Sequence, residues 1–296
     1  VRELVFLHNR LSDCNQFKGN LGMARFHAER ALALAEDSGN RKGQAEALRN
    51  LISLVGLDGN LQEAEVLARK AIGLYRSLGV KIELALAISA RGRHCLMQGD
   101  IEGGRRHMQE AMELFKAQQL RQGVGYILYF QSIIDAMAGE WTQAREKIEE
   151  SIEIFHAVGA FNFIPRLEVI RFLVDKEALP PEQALAWLAD MLRKALAIHE
   201  FFDIYWAFVA IPYVLLVDQT PSAAPLAQPV DLAAQIRGFV SENLEYGQSA
   251  FMCALVHDEV DGLLAQWSHQ EIEAASTRGS RQEIWALAAA VLESLG

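Results

Sequence analysis

Gly19-Asn20-Leu21-Gly22-Met23-Ala24 returns as Gly59-Asn60-Leu61-Gln62-Glu63-Ala64, then as Gly99-Asp100-Ile101-Glu102-Gly103-Gly104, then as Gly139-Glu140-Trp141-Thr142-Gln143-Ala144. The spacing is forty residues each time, without slippage. A fixed period of this size marks a solenoid of stacked units, each too small to bury its apolar face alone. A second set of markers, Gly39, Gly79, Gln119 and Gly159, keeps the same period. Between markers the apolar residues recur at steps of three, four and seven, as in Ala24, Ala28, Ala31 and Leu32. That is one stripe of a helix. The period therefore predicts antiparallel helix pairs, starting with 2–17 and 21–37, then 41–57 and 61–77.

The columns have physical content. Ala24, Ala64, Gly104 and Ala144 share one, and Ala31, Ala71, Ala111 and Ser151 another. Small side chains there let two helices approach closely. Leu32, Ile72, Met112 and Ile152, and Leu34, Leu74, Leu114 and Ile154, supply the filling. Gly at the turns offers a left-handed cap at little steric cost. The Asn, Asp or Glu after it lies where it can cap the next helix.

Composition agrees. The chain has 296 residues, 51% hydrophobic, dominated by the helix formers Ala, Leu, Glu, Arg and Gln, so the fold class is all-α. A formal net charge of −10 argues against direct binding of nucleic acid, which needs clustered cations. Cys14, Cys95 and Cys253 are far apart and form no CxxC, which fits a reducing, cytoplasmic setting. Ile204–Val217 is apolar but spans fourteen residues, short of the roughly 20 a membrane span needs. It reads as a buried helix, and no membrane partner is expected. The chain begins inside a helical pattern, so it is expected to be a piece of a longer protein.

After residue 160 the period loosens. Helices are expected at about 161–176, 181–199, 201–217, 230–244, 248–257 and 259–275. Pro212 should kink or end the apolar 201–217 segment. Gln219–Pro229, with Pro221, Pro225 and Pro229, reads as a loop. The division expected is a regular array over 1–178 and a degenerate, continuous part with a C-terminal cap over 179–296.

The marker columns resemble tetratricopeptide repeats, with forty residues per unit in place of the usual 34. The pattern Gly-Asn-x-x-x-Ala with a Leu-Gly end is most similar to the helical sensor arrays of bacterial signal-transduction ATPases of the STAND class, LuxR-type regulators among them. The likeness covers residues 1–160. At the usually small eighth position of the first helix Ser12, Gly92 and Ser132 fit, whereas Ile52 and Phe172 depart. Near the end, Ala274, Gly279, Glu283 and Ala286 resemble the closing segment of such arrays, with Gly279 in a turn and Ile284-Trp285 in place of the commoner pair. The resemblance implies a right-handed superhelix whose first helices line a concave groove.

No catalytic motif stands in the sequence: no phosphate loop, no HExxH, no GxSxG. His257-Asp258-Glu259 with His269 lacks the spacing that places two ligands on one helix face. The chain is expected not to be an enzyme and to need no cofactor or metal. By the family register, the groove positions are Phe6, Asn9, Asp13 and Gln16; Glu46, Arg49, Ser53 and Gly56; Leu86, Ser89, Arg93 and Leu96; Tyr126, Tyr129, Ile133 and Ala136. Glu46, Arg49, Ser53, Ser89, Arg93, Tyr126 and Tyr129 are the candidate binding residues. Arginine offers a fork for carboxylates, and tyrosine a flat face with a polar tip. They suit a protein or acidic peptide partner, or a small anionic ligand. Where Leu11 and Leu51 occupy the seventh, usually buried place, Arg91, Gln131 and Arg171 follow, and Asp135 takes another buried place. Either Arg91 or Arg171 pairs with Asp135 between units, or these helices are rotated. The function expected is a sensing or protein-interaction domain of a bacterial signalling regulator; the alternative is a stand-alone scaffold.

Overall fold

The apolar stripes place eight helices as four antiparallel pairs. They are α1 (Arg2–Phe17) with α2 (Leu21–Asp37), α3 (Arg41–Leu57) with α4 (Leu61–Leu78), α5 (Lys81–Met97) with α6 (Ile101–Ala117), and α7 (Arg121–Met137) with α8 (Trp141–Val158). The computed structural model describes residues 1–57, 60–219, 228–243 and 253–295, and no strand occurs among them. The fold is an all-α helical repeat solenoid. The chain divides into two compact units, Val1–Phe161 and Asn162–Gly296.

In unit 1 each helix packs on the next, within a pair and from one pair to the following one. Ala24, Ala64, Ala144, Ala31, Ala71, Ala111 and Ser151 are fully buried, as their columns require. Ser151 Oγ donates to the Gly125 carbonyl at 2.8 Å, so the one polar member of its column is satisfied. Ile72, Met112 and Ile152 are buried, whereas Leu34, Leu74, Leu114 and Ile154 are half-buried at the edge of the seam. The deepest column is Ala35, Tyr75, Phe115 and Phe155, each 0% exposed. A fully buried ring of this kind contributes about 1.5–3 kcal/mol. Phe115 reaches the following pair, where Gly123 makes room: a Cβ there would come within 2.4 Å of the ring. Ile52 and Phe172, which break the small eighth position, are buried all the same.

The turns behave as their residues dictate. Gly19, Gly39, Gly79, Gly99, Gly139 and Gly159 have positive φ, and Gln119 takes the same conformation at φ 53°. Asn60 and Asp100 cap α4 and α6 by accepting from the backbone N–H of Glu63 and Gly103, and Asn40 accepts from Gly43. Asn20 and Glu140 make no such bond. Gly59 lies outside the described residues.

Unit 2 is built around one helix. After a 3-10 turn, Phe161–Phe163, come α9 (Ile164–Val174), a second 3-10 turn at Lys176–Ala178, α10 (Pro181–Ile198) and α11 (Phe201–Leu216). Then come α12 (Gln228–Asn243), a π turn at Cys253–His257, α13 (Asp258–Leu264), α14 (His269–Ser280) and α15 (Ile284–Leu295). α11 packs on α9, α10, α12 and α13, and every residue of it except Phe202 is buried. That is where a helix apolar on all sides belongs. Among the described residues no helix is long and apolar enough to cross a membrane.

Several sequence expectations are corrected here. Pro212 does not end α11, which continues to Leu216. The helix expected at 161–176 is shortened at both ends by 3-10 turns. The helix expected at 259–275 is two helices, broken at 265–268. Gly279 lies inside α14, not in a turn, because α14 presses against α12 there: a Cβ would sit 1.9 Å from the Gln235 carbonyl oxygen. The stretch with Pro221 and Pro225, and the first part of the helix expected at 248–257, lie outside the described residues.

Candidate functional site

First helices in unit 1 also touch one another: α1 with α3, α3 with α5, and α5 with α7. Second helices reach across by long side chains, as in Arg76–Glu110 at 2.8 Å. The first helices therefore form the inner layer of the unit, and their half-buried side chains make one continuous face.

That face starts on α1. Arg10 lies over the Phe6 ring at 5.6 Å and pairs with Asp13 at 3.0 Å. Asp13 also receives Arg49 Nη2 from α3 at 3.4 Å. Arg49 stands beside the enclosed Tyr75 hydroxyl; burial pushes that phenol up to about 12, against the pull of the Arg49 charge. Glu46, one turn earlier, pairs with Lys42 at 4.0 Å. On α5, Arg93 Nη2 donates to Ser53 Oγ of α3 at 3.3 Å. On α7, Tyr126 and Tyr129 lie 6.5 Å apart, and both meet Phe130 edge-on, at 5.0 and 4.5 Å.

The structure thus links Arg49 to Asp13, Arg93 to Ser53, and Tyr126 to Tyr129, each across or along the inner layer. Ser89 is different. It is buried, and its hydroxyl donates to the Leu86 carbonyl of its own helix at 2.9 Å. Asn9, Gly56, Leu96, Ile133 and Ala136, expected by register to line the groove, are buried too.

The pairing expected for Asp135 is corrected. Asp135 is buried, but its cations come from second helices: Arg105 of α6 at 3.2 Å and Lys147 of α8. Arg91 instead grips Glu65 of α4 with two hydrogen bonds, Nε at 2.8 Å and Nη2 at 2.6 Å. Arg171 pairs with Glu168 one turn back on α9. A second helix offers a charged residue to the first helix behind it and ahead of it, so the partners lie one helix nearer than a unit-to-unit pairing would put them.

Sequence reasoning missed the polar groups under the face. Asn50 Nδ2 donates to the Asn9 carbonyl at 3.1 Å, and Asn9 Nδ2 to the Gly43 carbonyl at 3.4 Å. His94 is 3% exposed, and among the described residues neither ring nitrogen has a hydrogen-bond partner. It fits because Gly56 has no side chain: a Cβ would lie 2.5 Å from His94 Nε2. Burial, reinforced by the Arg93 charge, lowers the His94 pKa to about 3. A signal was present, since Leu54 and Ile134 hold the same column. Among the described residues no three His, Cys, Asp or Glu side chains gather as a metal site would require.

Among solved structures the chain is similar to a Signal Transduction ATPase with Numerous Domains (STAND) protein with a tetratricopeptide repeat sensor from Pyrococcus horikoshii, with a TM-score of 0.50 and 17% identity. The match covers 72% of this chain and 33% of that one, so the chain spans about a third of its length. At that identity the likeness bears on the fold alone. No protein-family model and no curated protein matches the chain.

Proposed function

We propose that unit 1 is a protein-interaction module that holds a peptide segment of a partner along the inner face of α1, α3, α5 and α7, as the sensor part of a cytoplasmic signalling regulator. The observation that carries the reading is the change in character along that face. It runs from the paired charges Asp13, Arg49 and Glu46, through Arg93, to the tyrosines Tyr126 and Tyr129. Because Asp13 already engages Arg49, the face suits a chain of mixed polarity better than a small anion. A peptide with an acidic residue set some way from an apolar anchor matches it: the acid competes for the guanidinium groups, and the anchor meets the tyrosine faces. The sensing role fits the likeness to the fold of a STAND sensor.

The reading is tested by selecting displayed random peptides against the protein. The selection is then repeated on Tyr126→Ala/Tyr129→Ala and on Arg49→Glu/Arg93→Glu. Peptides bearing acidic and aromatic residues, whose binding drops at least tenfold in each variant, are the expected result. Peptides that bind all three proteins equally would place the interaction elsewhere.

A further inference from the structure

In unit 2 the helices α12, α13 and α14 enclose a pocket that the inner face of unit 1 has no part in. α12 and α14 are pressed together at Gly238, where a Cβ would come within 2.3 Å of the Ser276 carbonyl oxygen. Beside that crossing, the break at 265–268 between α13 and α14 leaves a space of about 410 Å³, open to solvent on one side. That volume is in the range of pockets that hold small molecules.

The wall divides by chemistry. Leu264 is buried, Ile272 is half-buried, and Trp267 adds a half-buried indole from the break itself. The serine hydroxyls on the wall donate to carbonyls of α12: Ser241 Oγ to Arg237 at 2.9 Å and Ser276 Oγ to Ala234 at 3.2 Å. The strong donor is the Arg237 guanidinium. Its Nε and Nη2 hold Asp261 at 2.8 Å each. Its Nη1 is buried and has no acceptor among the described residues. A buried donor left in that state costs roughly 1–3 kcal/mol, so the guanidinium carries an unmet demand at the edge of an apolar pocket. The demand is for an oxygen and not for a charge. Asp261 already neutralises Arg237, and it lines the pocket as well, so an anion would meet a like charge there.

We propose that this pocket binds a small, flat, uncharged molecule that bears a carbonyl oxygen, an aromatic amide or ketone. Its ring lies against Trp267, Leu264 and Ile272. Its oxygen accepts from Arg237 Nη1 after a small turn of the guanidinium, which the exposed Asp261 can follow. The site is separate from the peptide reading of unit 1 and stands or falls without it.

The test uses the full chain labelled with fluorotryptophan and observed by fluorine NMR. The chain has five tryptophans, and Trp267→Phe assigns the signal in question. Three probes of one ring system are titrated: naphthamide, its anion naphthoate, and methylnaphthalene, which has no oxygen. Naphthamide should shift the Trp267 signal saturably, and the other two should bind about tenfold more weakly or not at all. Arg237→Met should bring naphthamide down to the level of methylnaphthalene. Because that variant also strands Asp261, Ala265→Phe is made alongside it: Ala265 is exposed at the pocket wall, and a ring there should block naphthamide with the thermal midpoint unchanged. A Trp267 signal that naphthamide leaves in place overturns the proposal. So does naphthoate or methylnaphthalene binding as tightly as naphthamide, since the pocket then selects a charge or an apolar ring and not a carbonyl. Undiminished binding in Ala265→Phe overturns it too, by placing the ring elsewhere.

Discussion

Asp135 in unit 1 and Arg166 in unit 2 meet the same difficulty from opposite sides. Asp135 is one buried carboxylate served by two cations, Arg105 and Lys147, both of which reach solvent. Arg166 is one guanidinium serving two buried carboxylates, Glu200 at 2.7 Å and Asp203 at 2.9 Å, with the Phe163 and Phe202 rings against it. The first arrangement is redundant and the second is not. The contrast follows from the architecture. In the array the first helices α3, α5 and α7 are each flanked by two second helices, so a buried charge there finds a partner on either side. In unit 2, among the described residues, α9 alone supplies a cation for the start of α11.

The sharpest way to break the comparison is Arg166→Met. It leaves two buried carboxylates without a cation, and removing one partner of a buried pair costs about 3–5 kcal/mol. Urea unfolding followed by hydrogen exchange should show the loss in α9–α11, with unit 1 unchanged. The pH dependence has a definite sign. Glu200 is raised from 4.5 to about 7, first by burial, with Arg166 opposing and Asp203 adding to the rise. A carboxyl that holds its proton more tightly when folded stabilises the fold most at low pH, and that contribution falls away as pH rises through about 7. Without Arg166 that decline should be steeper and should reach higher pH.

In unit 1 the pH dependence runs the other way. His94 is depressed from 6.5 to about 3. The folded state refuses a proton that the unfolded chain accepts, so stability is full above about 6.5 and falls as pH drops toward 3. At pH 5 the loss is about 2 kcal/mol, from the linkage of 1.36 kcal/mol per pH unit. His94→Leu, which restores the residue type of Leu54 and Ile134, should flatten the acid limb of a thermal-melt series between pH 7 and pH 5. An acid limb unchanged by the substitution would mean that His94 is not the group responsible.

Much of this was legible from the period alone: the pairs, the small columns and the left-handed turns all follow from residues that repeat. What stayed hidden is what does not repeat. The forty-residue spacing identifies which residues share a column but not which helix a departing side chain turns toward. Arg91, Asp135 and Arg105 therefore could not be matched without coordinates. The binding face was legible to the extent that it uses the outward positions of the first helices. Ser89 sits at such a position but is buried: its side chain is short, and its hydroxyl turns back to the Leu86 carbonyl of its own helix instead of reaching outward. In unit 2 the composition of Phe201–Leu216 announced a buried helix, but neither the break at 265–268 nor the Arg166 cluster has a sequence signature.

Redundancy at Asp135 is itself testable. Arg105 is 41% exposed and leaves Lys147 behind, so Arg105→Met should cost only about 1 kcal/mol after allowing for solvent screening. The double variant with Lys147→Met should cost clearly more than the sum of the two single changes, since only then is the carboxylate abandoned. Additive losses in urea unfolding would show that the two cations act independently and would remove the contrast with Arg166.

The smallest effect concerns the one second-helix turn in unit 1 that breaks the glycine rule. Gln119 holds φ 53° at the end of α6, where Gly39, Gly79 and Gly159 hold the same place after α2, α4 and α8. An L side chain in the left-handed region costs about 1–2 kcal/mol through crowding of its Cβ against the following carbonyl. Glycine escapes that cost but gives up some of the gain to its freer unfolded chain. Gln119→Gly should therefore stabilise unit 1 by roughly 0.5–1 kcal/mol, seen as a rise of a few degrees in its thermal midpoint. Gly79→Gln, the reverse change at the equivalent turn, should lower the midpoint by a similar amount. The pair of variants separates the turn from its surroundings, because beyond its two chain neighbours no described residue comes within 4 Å of where a Gly79 Cβ would sit, and backbone conformation is what is at stake. Equal and opposite shifts would show that the forty-residue marker stabilises the array through its φ angle. A loss in both would mean that the Gln119 side chain contributes a contact the other turns do without.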